Sequence, residues 1–454
     1  MSVALIELDL DAPPPAVAGR PPARYCRYVG LLSAALLVLA VGGAATDQST
    51  IWRRVGAVAL TGPDTSYRIL DGRLYTMDTG GDERVISAWA MSPLRRLWSA
   101  TTPLERDPSS GSVVHDGGAS LVAAGAYVLL HSALGTSVLD ARSGAVRWST
   151  TSPVLAHSNG IGIVQETVFR PGTAYDESSG DPGPLYWSAT GVPHTEPPQR
   201  TILRGLELAT GYPRWSAEAR GSVYVVPDGR DATGFVVIAA DRLTLRAADT
   251  GAVIRQRALP RSPGADVSFP EIAGDLLLLR HDNPDGGGVA TAYGMDTFES
   301  RWRLAEPADD GNAGTCSGLP CRRERGGMVV LDAHRGVALW HAGRYVNLVQ
   351  RGPDTLEVQS ASNRPLRLRD HTTGRVLVDL RGWETVADSD DQAPLVLFRA
   401  VPPDGHAAFG VLAPGSRDIQ PLGLAGGRVR ECASDERYVA CRVADGIEVW
   451  SYRT

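Results

Sequence analysis

From about residue 51 onward, apolar side chains come in short runs closed off by Gly, Asp or Pro. Examples are Ala126-Tyr-Val-Leu-Leu130, Gly234-Phe-Val-Val-Ile238, Asp275-Leu-Leu-Leu-Leu279 and Pro394-Leu-Val-Leu-Phe398. Runs this short between turn residues predict β-strands. A phrase then returns behind them. It reads Val138-Leu-Asp-Ala-Arg-Ser-Gly144-Ala-Val-Arg-Trp148, then Gly205-Leu-Glu-Leu-Ala-Thr-Gly211-Tyr-Pro-Arg-Trp215 and Leu245-Arg-Ala-Ala-Asp-Thr-Gly251-Ala-Val-Ile-Arg255. It continues as Tyr293-Gly-Met-Asp-Thr-Phe298-Glu-Ser-Arg-Trp302 and Val330-Leu-Asp-Ala-His-Arg-Gly336-Val-Ala-Leu-Trp340. Weaker copies end at Trp98, Val378 and Ile419. In each, a strand runs into an Asp-x-x-x-Gly turn whose Gly supplies positive φ, and a second strand carries a large apolar anchor. An indole suits that position because it spans the gap between packed sheets while its N–H finds an acceptor.

The repeat comes every forty residues or so with about four strands, the cadence of a β-propeller blade. A β-sandwich or a pair of barrels would not produce a recurring Asp-x-x-x-Gly-x-x-x-Trp frame. Trp98, Trp148, Trp215, Trp302 and Trp340 are therefore read as structural, blade-docking residues. The anchors are 38 to 50 residues apart except between Trp148 and Trp215, and that longer step places an inserted loop at 166–200, rich in Pro, Gly and Ser. After the last anchor, Arg428-Val-Arg-Glu-Cys432, Arg437-Tyr-Val-Ala-Cys441-Arg-Val and Gly446-Ile-Glu-Val-Trp450 give three strands, and residues 51–60 can supply a fourth that closes the ring. A literal tally makes nine units. Because propellers usually stop at about eight blades, the expectation is an all-β propeller of about eight four-stranded blades, with seven or nine open.

One stretch departs from the strand pattern. Residues 28–45 are 18 uncharged positions with a single Ser in an otherwise apolar or small sequence. As a helix they span about 27 Å, close to the roughly 30 Å of a hydrocarbon core. Arg20, Arg24 and Arg27 precede the stretch, whereas Asp47, Arg53 and Arg54 follow it. This favours residues 1–27 as a short, Pro-rich cytoplasmic tail, 28–45 as a transmembrane signal anchor in the lipid bilayer, and 46–454 as an extracytoplasmic propeller at the cell membrane. Secretion after signal cleavage near Ala45 is the alternative.

Cysteine placement fits that topology. Cys26 falls on the tail side; Cys316 with Cys321 and Cys432 with Cys441 fall outside as two close pairs, expected as local disulfides. The gap in the second pair departs from zinc-knuckle spacing. All 45 basic side chains are Arg, which removes Walker-A, Schiff-base, kinase and Ser-x-x-Lys chemistry. A net charge of −6 argues against nucleic acid as a partner. Gly-x-Ser-x-Gly, His-Glu-x-x-His and Cys-x-x-Cys are absent. His334 and His341 flank a turn, and two acidic loops, Asp282-Asn-Pro-Asp285-Gly-Gly-Gly288 and Asp388-Ser-Asp-Asp391, match no EF-hand frame.

At its Leu-Asp-Ala-x-x-Gly-x-x-x-Trp phrase the chain resembles the pyrroloquinoline-quinone-like β-propeller repeat of quinoprotein alcohol dehydrogenases and of propeller scaffolds that bind no quinone. The acidic tail, single anchor and Arg-only propeller resemble membrane-anchored repeat proteins of high-GC actinobacteria. The resemblance covers residues 51–454 and transfers blade packing. The dehydrogenases hold their quinone between a Trp and a ring of two adjacent disulfide-bonded Cys, and this sequence has no adjacent cysteines. No catalytic, cofactor or metal residue is expected. The function expected is a non-catalytic binding or scaffold module for a protein or cell-wall ligand outside the membrane. The alternative is a quinone- or metal-dependent oxidoreductase with diverged ligands, using pyrroloquinoline quinone and Ca²⁺.

Overall fold

The structure, a computed structural model, describes residues 51–454 apart from 61, 63–64, 81–82, 104–118, 133–134, 189–190, 229–232, 261–266, 283–286, 307–315, 325–326 and 404. The tail, the apolar segment 28–45, Cys26 and the cleavage point near Ala45 lie outside the described residues.

Antiparallel strands, paired in chain order, build nine consecutive sheets. Blades 1 to 5 span 66–103, 120–150, 154–220, 223–258 and 267–306; blades 6 to 8 span 321–341, 346–379 and 385–425. Blade 9 combines 430–452 with Trp52–Ala59. The innermost strand of each blade comes first in sequence, except that blade 9 takes its outermost strand from the start of the propeller. Burial follows position within the blade. Middle strands are covered on both faces by neighbouring blades, so Leu276–Leu279 are all at most 2% exposed. Outermost strands touch a neighbour on one face only, and Pro213–Arg220 alternates between half-buried and exposed.

The described residues share no single core. The described apolar residues fall into nine clusters, one at each seam between consecutive blades. The seam between blades 9 and 1 packs Val58, Ile447 and Val449 against Leu74 and Met91. Closure comes from the pairing of Trp52–Ala59 with Gly446–Tyr452, which runs from Trp52↔Tyr452 to Ala59↔Gly446. Arg453 N–H donates to Ile51 C=O at 3.0 Å, so the end of blade 9's third strand meets the start of its fourth.

The blade count is nine, at the top of the seven-to-nine range rather than the eight favoured from the usual propeller limit. The weak copies ending at Trp98, Val378 and Ile419 each belong to a complete sheet of their own. Two blades depart from the four-strand pattern at the inner rim. In blade 6 the first strand, Cys316–Ser317, leaves its own sheet and pairs in parallel with Leu348 and Val349 of blade 7. In blade 8 the first strand is only Thr385–Val386, and the chain beyond it bridges Ala433 of blade 9 through Asp388.

The long step between Trp148 and Trp215 is an excursion between the second and third strands of blade 3, from Val168 to Arg200. It contains the one helical turn among the described residues, Glu177–Ser179, and a small hairpin, Tyr186–Trp187 with Pro193–His194. Phe169 stacks on His194 at 3.7 Å and Arg170 pairs with Glu196, while Trp187 stands 63% exposed.

Candidate functional site

Four antiparallel strands alternate in direction, so the link between the first and second strands and the turn between the third and fourth lie on one face of every blade. This turn face is built by the recurring phrase. The carboxylates of Asp140, Asp332 and Asp370 each accept two backbone N–H groups of their own turn, at 2.8 to 3.1 Å. The Arg147 guanidinium and the Ser143 N–H hold Asp140 well below the usual carboxylate range.

Each anchor reaches into the turn of the next blade. The indole N–H groups of Trp98, Trp148, Trp215, Trp302 and Trp340 donate to the carbonyls of Ala141, Leu208, Ala248, Ala333 and His371 at 2.8 to 3.0 Å. Each ring also lies on the Gly of that turn. A Cβ on Gly336 would meet Trp302 at 2.6 Å, and one on Gly374 would meet Trp340 at 2.4 Å. Gly is thus required twice, for φ near +67° and for the ring above it.

The seam between blades 4 and 5 solves the same problem with other residues. Arg255 occupies the Trp position and Phe298 the Gly position. Arg255 Nη1 donates to Met295 C=O at 3.2 Å, the carbonyl an indole would use, and its guanidinium sits 5.9 Å from the Phe298 ring centroid. Phe298 keeps the turn backbone, with φ 59° and its N–H on Gly294 C=O at 2.7 Å, and it is fully buried. The ring that elsewhere comes from the preceding blade here comes from the turn itself. Both departures are visible in the sequence.

Among the described residues, recesses open on the turn face at three places. Between blades 1 and 2, Asp71, Arg73, Tyr75, Tyr127 and Arg142 line a cavity of about 390 Å³. Burial pushes the Tyr75 hydroxyl up, with Arg73 opposing. A narrow crevice between blades 7 and 8 is lined by Asp354, whose carboxylate pairs with Arg417 at 2.8 Å. At the inner rim, where blades 8, 9 and 1 meet, the first strand of blade 1, the acidic loop Asp388-Ser-Asp-Asp391 and Ser434 enclose about 270 Å³. The acidic loop is the link between the first and second strands of blade 8. Arg351 of blade 7 pins its backbone, with Nη1 donating to Ser389 C=O at 3.1 Å, Ser389 Oγ at 3.3 Å and Asp390 C=O at 2.6 Å.

The cysteine pairs are Cys316–Cys321 and Cys432–Cys441. The first ties the displaced inner strand of blade 6 to its sheet, and the second bridges the first two strands of blade 9 beside the closing seam. There Tyr67 of blade 1 donates to Glu431 C=O and accepts from Arg442 N–H at 2.9 Å. Neither disulfide joins adjacent residues, and no group of three or more His, Cys, Asp or Glu among the described residues is placed to hold a metal ion. The described residues thus show no counterpart of the adjacent-cysteine ring that holds the quinone in the dehydrogenase branch. His334 Nδ1, in the turn of blade 6, accepts from Arg301 Nη1 of blade 5 at 3.2 Å, and His341 ends the outer strand of blade 6. Of the loop at 282–288, residues 283–286 lie outside the described residues.

No protein-family model and no curated protein sequence matches the chain. Among solved structures it is similar to BamB from Moraxella catarrhalis, at 16% identity and TM-score 0.39, over 88% of this chain and 98% of that one. A europium-containing methanol dehydrogenase is similar at 11% identity and TM-score 0.36, over 87% of this chain and 85% of that one. A quinohemoprotein alcohol dehydrogenase from Pseudomonas putida is similar at 10% identity and TM-score 0.38, over 88% and 76%. Likeness at this level adds nothing beyond the fold, which the strand pairing establishes on its own: the described residues form a nine-bladed β-propeller.

Proposed function

We propose that this propeller is a membrane-anchored, extracytoplasmic binding or scaffold module whose turn face receives a protein or cell-envelope ligand, without a catalytic centre of its own. The observation that carries the reading is the pair of open recesses of about 270 and 390 Å³ on the turn face, the larger at the seam where Trp98 docks on Gly144 and the smaller beside the seam that closes the ring. A rigid frame with polar recesses between its blades binds with little loss of conformational freedom. The two disulfides suit an oxidising compartment, and the uncharged stretch 28–45 suits an anchor.

The chain has no Lys, so amine-directed crosslinkers have almost no purchase on it. A photo-crosslinking residue at Arg142, exposed on the turn face, should capture a reproducible partner from native membranes. The same residue at Asp445, exposed on the opposite face, should not. Capture from neither position, or equally from both, would count against the reading. Saturable binding of pyrroloquinoline quinone with Ca²⁺, coupled to dye reduction, would replace it with the oxidoreductase alternative.

A further inference from the structure

The inner-rim recess carries an unbalanced set of groups. Asp388, Asp390 and Asp391 stand exposed around it. Among the described residues, the carboxylates of Asp390 and Asp391 accept no hydrogen bond. Asp388 has only Arg68, at 3.9 Å, in a pair exposed by 53% and 69%. Such a pair is weak. Ser434 lines the same recess at 4% exposure, and its hydroxyl has no hydrogen-bond partner. A buried hydroxyl left without a partner costs stability unless something else satisfies it. Arg351 is close enough to feel all three charges, yet it makes no hydrogen bond to their carboxylates among the described residues. Its Nη1 is spent on three oxygens of Ser389 and Asp390, which fixes the loop with its carboxylates free.

These groups ask for a cation that also donates hydrogen bonds. The carboxylates do not converge as a metal site would require. At about 270 Å³ the recess lies below the usual 300–1,000 Å³ of small-molecule pockets. It has the size for one long side chain. We propose that the recess formed by Asp388, Asp390, Asp391 and Ser434 receives an arginine guanidinium or lysine ammonium presented by an extended segment of a protein partner. The inference rests on the binding-module reading and names the partner chemistry of one of its recesses. The ligand's donors would face the free carboxylates and the Ser434 Oγ, displacing Arg68 from Asp388.

The test uses the purified full chain and the peptide fluoresceinyl-Gly-Gly-Arg-Gly-Gly-amide, with the matching Gln peptide as control, read by fluorescence anisotropy. The Arg peptide should bind and the Gln peptide should not. Asp390→Asn with Asp391→Asn should weaken binding by about tenfold. Ser434→Ala should weaken it by about threefold at unchanged charge. Arg68→Gln, which removes the internal competitor, should tighten it by about threefold. The Arg68 variant answers even if the Ser434 variant folds poorly, because its expected sign is opposite. Equal binding by both peptides, displacement of the peptide by 1 mM Ca²⁺ but not by agmatine, or tighter binding of free agmatine than of the peptide would overturn the proposal. Capture of a partner at Arg142 alongside peptide binding that ignores all three variants would remove this inference and leave the module reading standing. Failure to capture any partner would remove the reading itself.

Discussion

The seam between blades 4 and 5 allows the docking rule to be tested as a reciprocal exchange. Phe298→Gly removes a fully buried ring, a loss of about 3–5 kcal/mol. It also relieves a non-Gly residue at φ 59°, which returns about 1 kcal/mol. The net cost is about 2–4 kcal/mol. Arg255→Trp alone drives an indole towards space that the Phe298 ring fills, an overpacking cost of about 1–3 kcal/mol. If the positions were independent, the double variant would lose about 3–7 kcal/mol, the sum of the two. The double variant instead rebuilds the Trp-over-Gly contact found at five other seams, with the indole N–H able to reach the Met295 carbonyl that Arg255 now uses. It should fall within about 1.5 kcal/mol of the parent, as volume-conserving exchanges do. Near 2.1 cal/mol/K per residue, a propeller of about 400 residues shifts its melting temperature by about 1 °C per kcal/mol. Scanning calorimetry should therefore place the single variants about 1–4 °C below the parent and the double variant above the worse of them. Urea midpoints should give the same order. Additive losses, or a neutral Phe298→Gly, would refute the claim that one ring slot is filled from either blade.

Three further outcomes follow from the same geometry. Trp302→Ala should cost about 3–5 kcal/mol, because its ring is only 8% exposed and its N–H donates to Ala333; Trp187→Ala, 63% exposed in the blade 3 excursion, should stay within about 0.5 kcal/mol by urea denaturation. Replacing Cys432 and Cys441 by Ala should lower stability by about 2–3 kcal/mol, the loop-entropy value for a sequence separation of 9; an unchanged melting temperature would show that the closing seam holds without the bond. Burial holds the imidazoles of His131, His157 and His371 below their usual value, with His157 adding to the effect at His131. Depressed folded-state values give stability that is present above about pH 6.5 and lost as pH falls through the window below it, so the melting temperature should drop from pH 7.5 to 5.5, and His157→Gln should flatten that slope.

Much of the frame was legible in the sequence because the phrase that builds it is local, although each Trp docks on the turn of the next blade. Each Trp, its turn Asp and its turn Gly are a few residues apart in sequence, and each recurs, so periodicity exposes them. The Arg255–Phe298 exchange was also on the page, since both residues break the phrase at positions where it is otherwise kept. Closure by residues 51–60 followed from a last blade that lacked a strand. The blade number was less accessible because weak units such as 90–98 and 369–378 keep the strands but lose the full phrase. The recess at Asp388 was not legible as a place. The acidic loop shows in the sequence as a turn, while Ser434 and Arg68 come from other blades and meet it only when the ring closes.

Blades 6 and 8 show how such a frame acquires a site. A regular blade uses its first strand to complete its own sheet, which leaves only a short link to the second strand. In both of these blades the first strand is cut to two residues and the chain crosses to the inner strand of the next blade. The outcomes differ with the residues released. In blade 6 the freed segment is retied by Cys316–Cys321 and stays compact. In blade 8 it has no covalent tie; it is fixed by Arg351 from one neighbour and by Asp388–Ala433 pairing from the other, with Asp388 N–H on Cys432 C=O at 2.7 Å and Ser434 N–H on Asp388 C=O at 2.7 Å. Backbone hydrogen bonds to two blades position the loop, so its carboxylates are not needed to hold it. That separation of roles leaves three negative charges beside a buried hydroxyl at the one part of the rim where the start and end of the propeller meet.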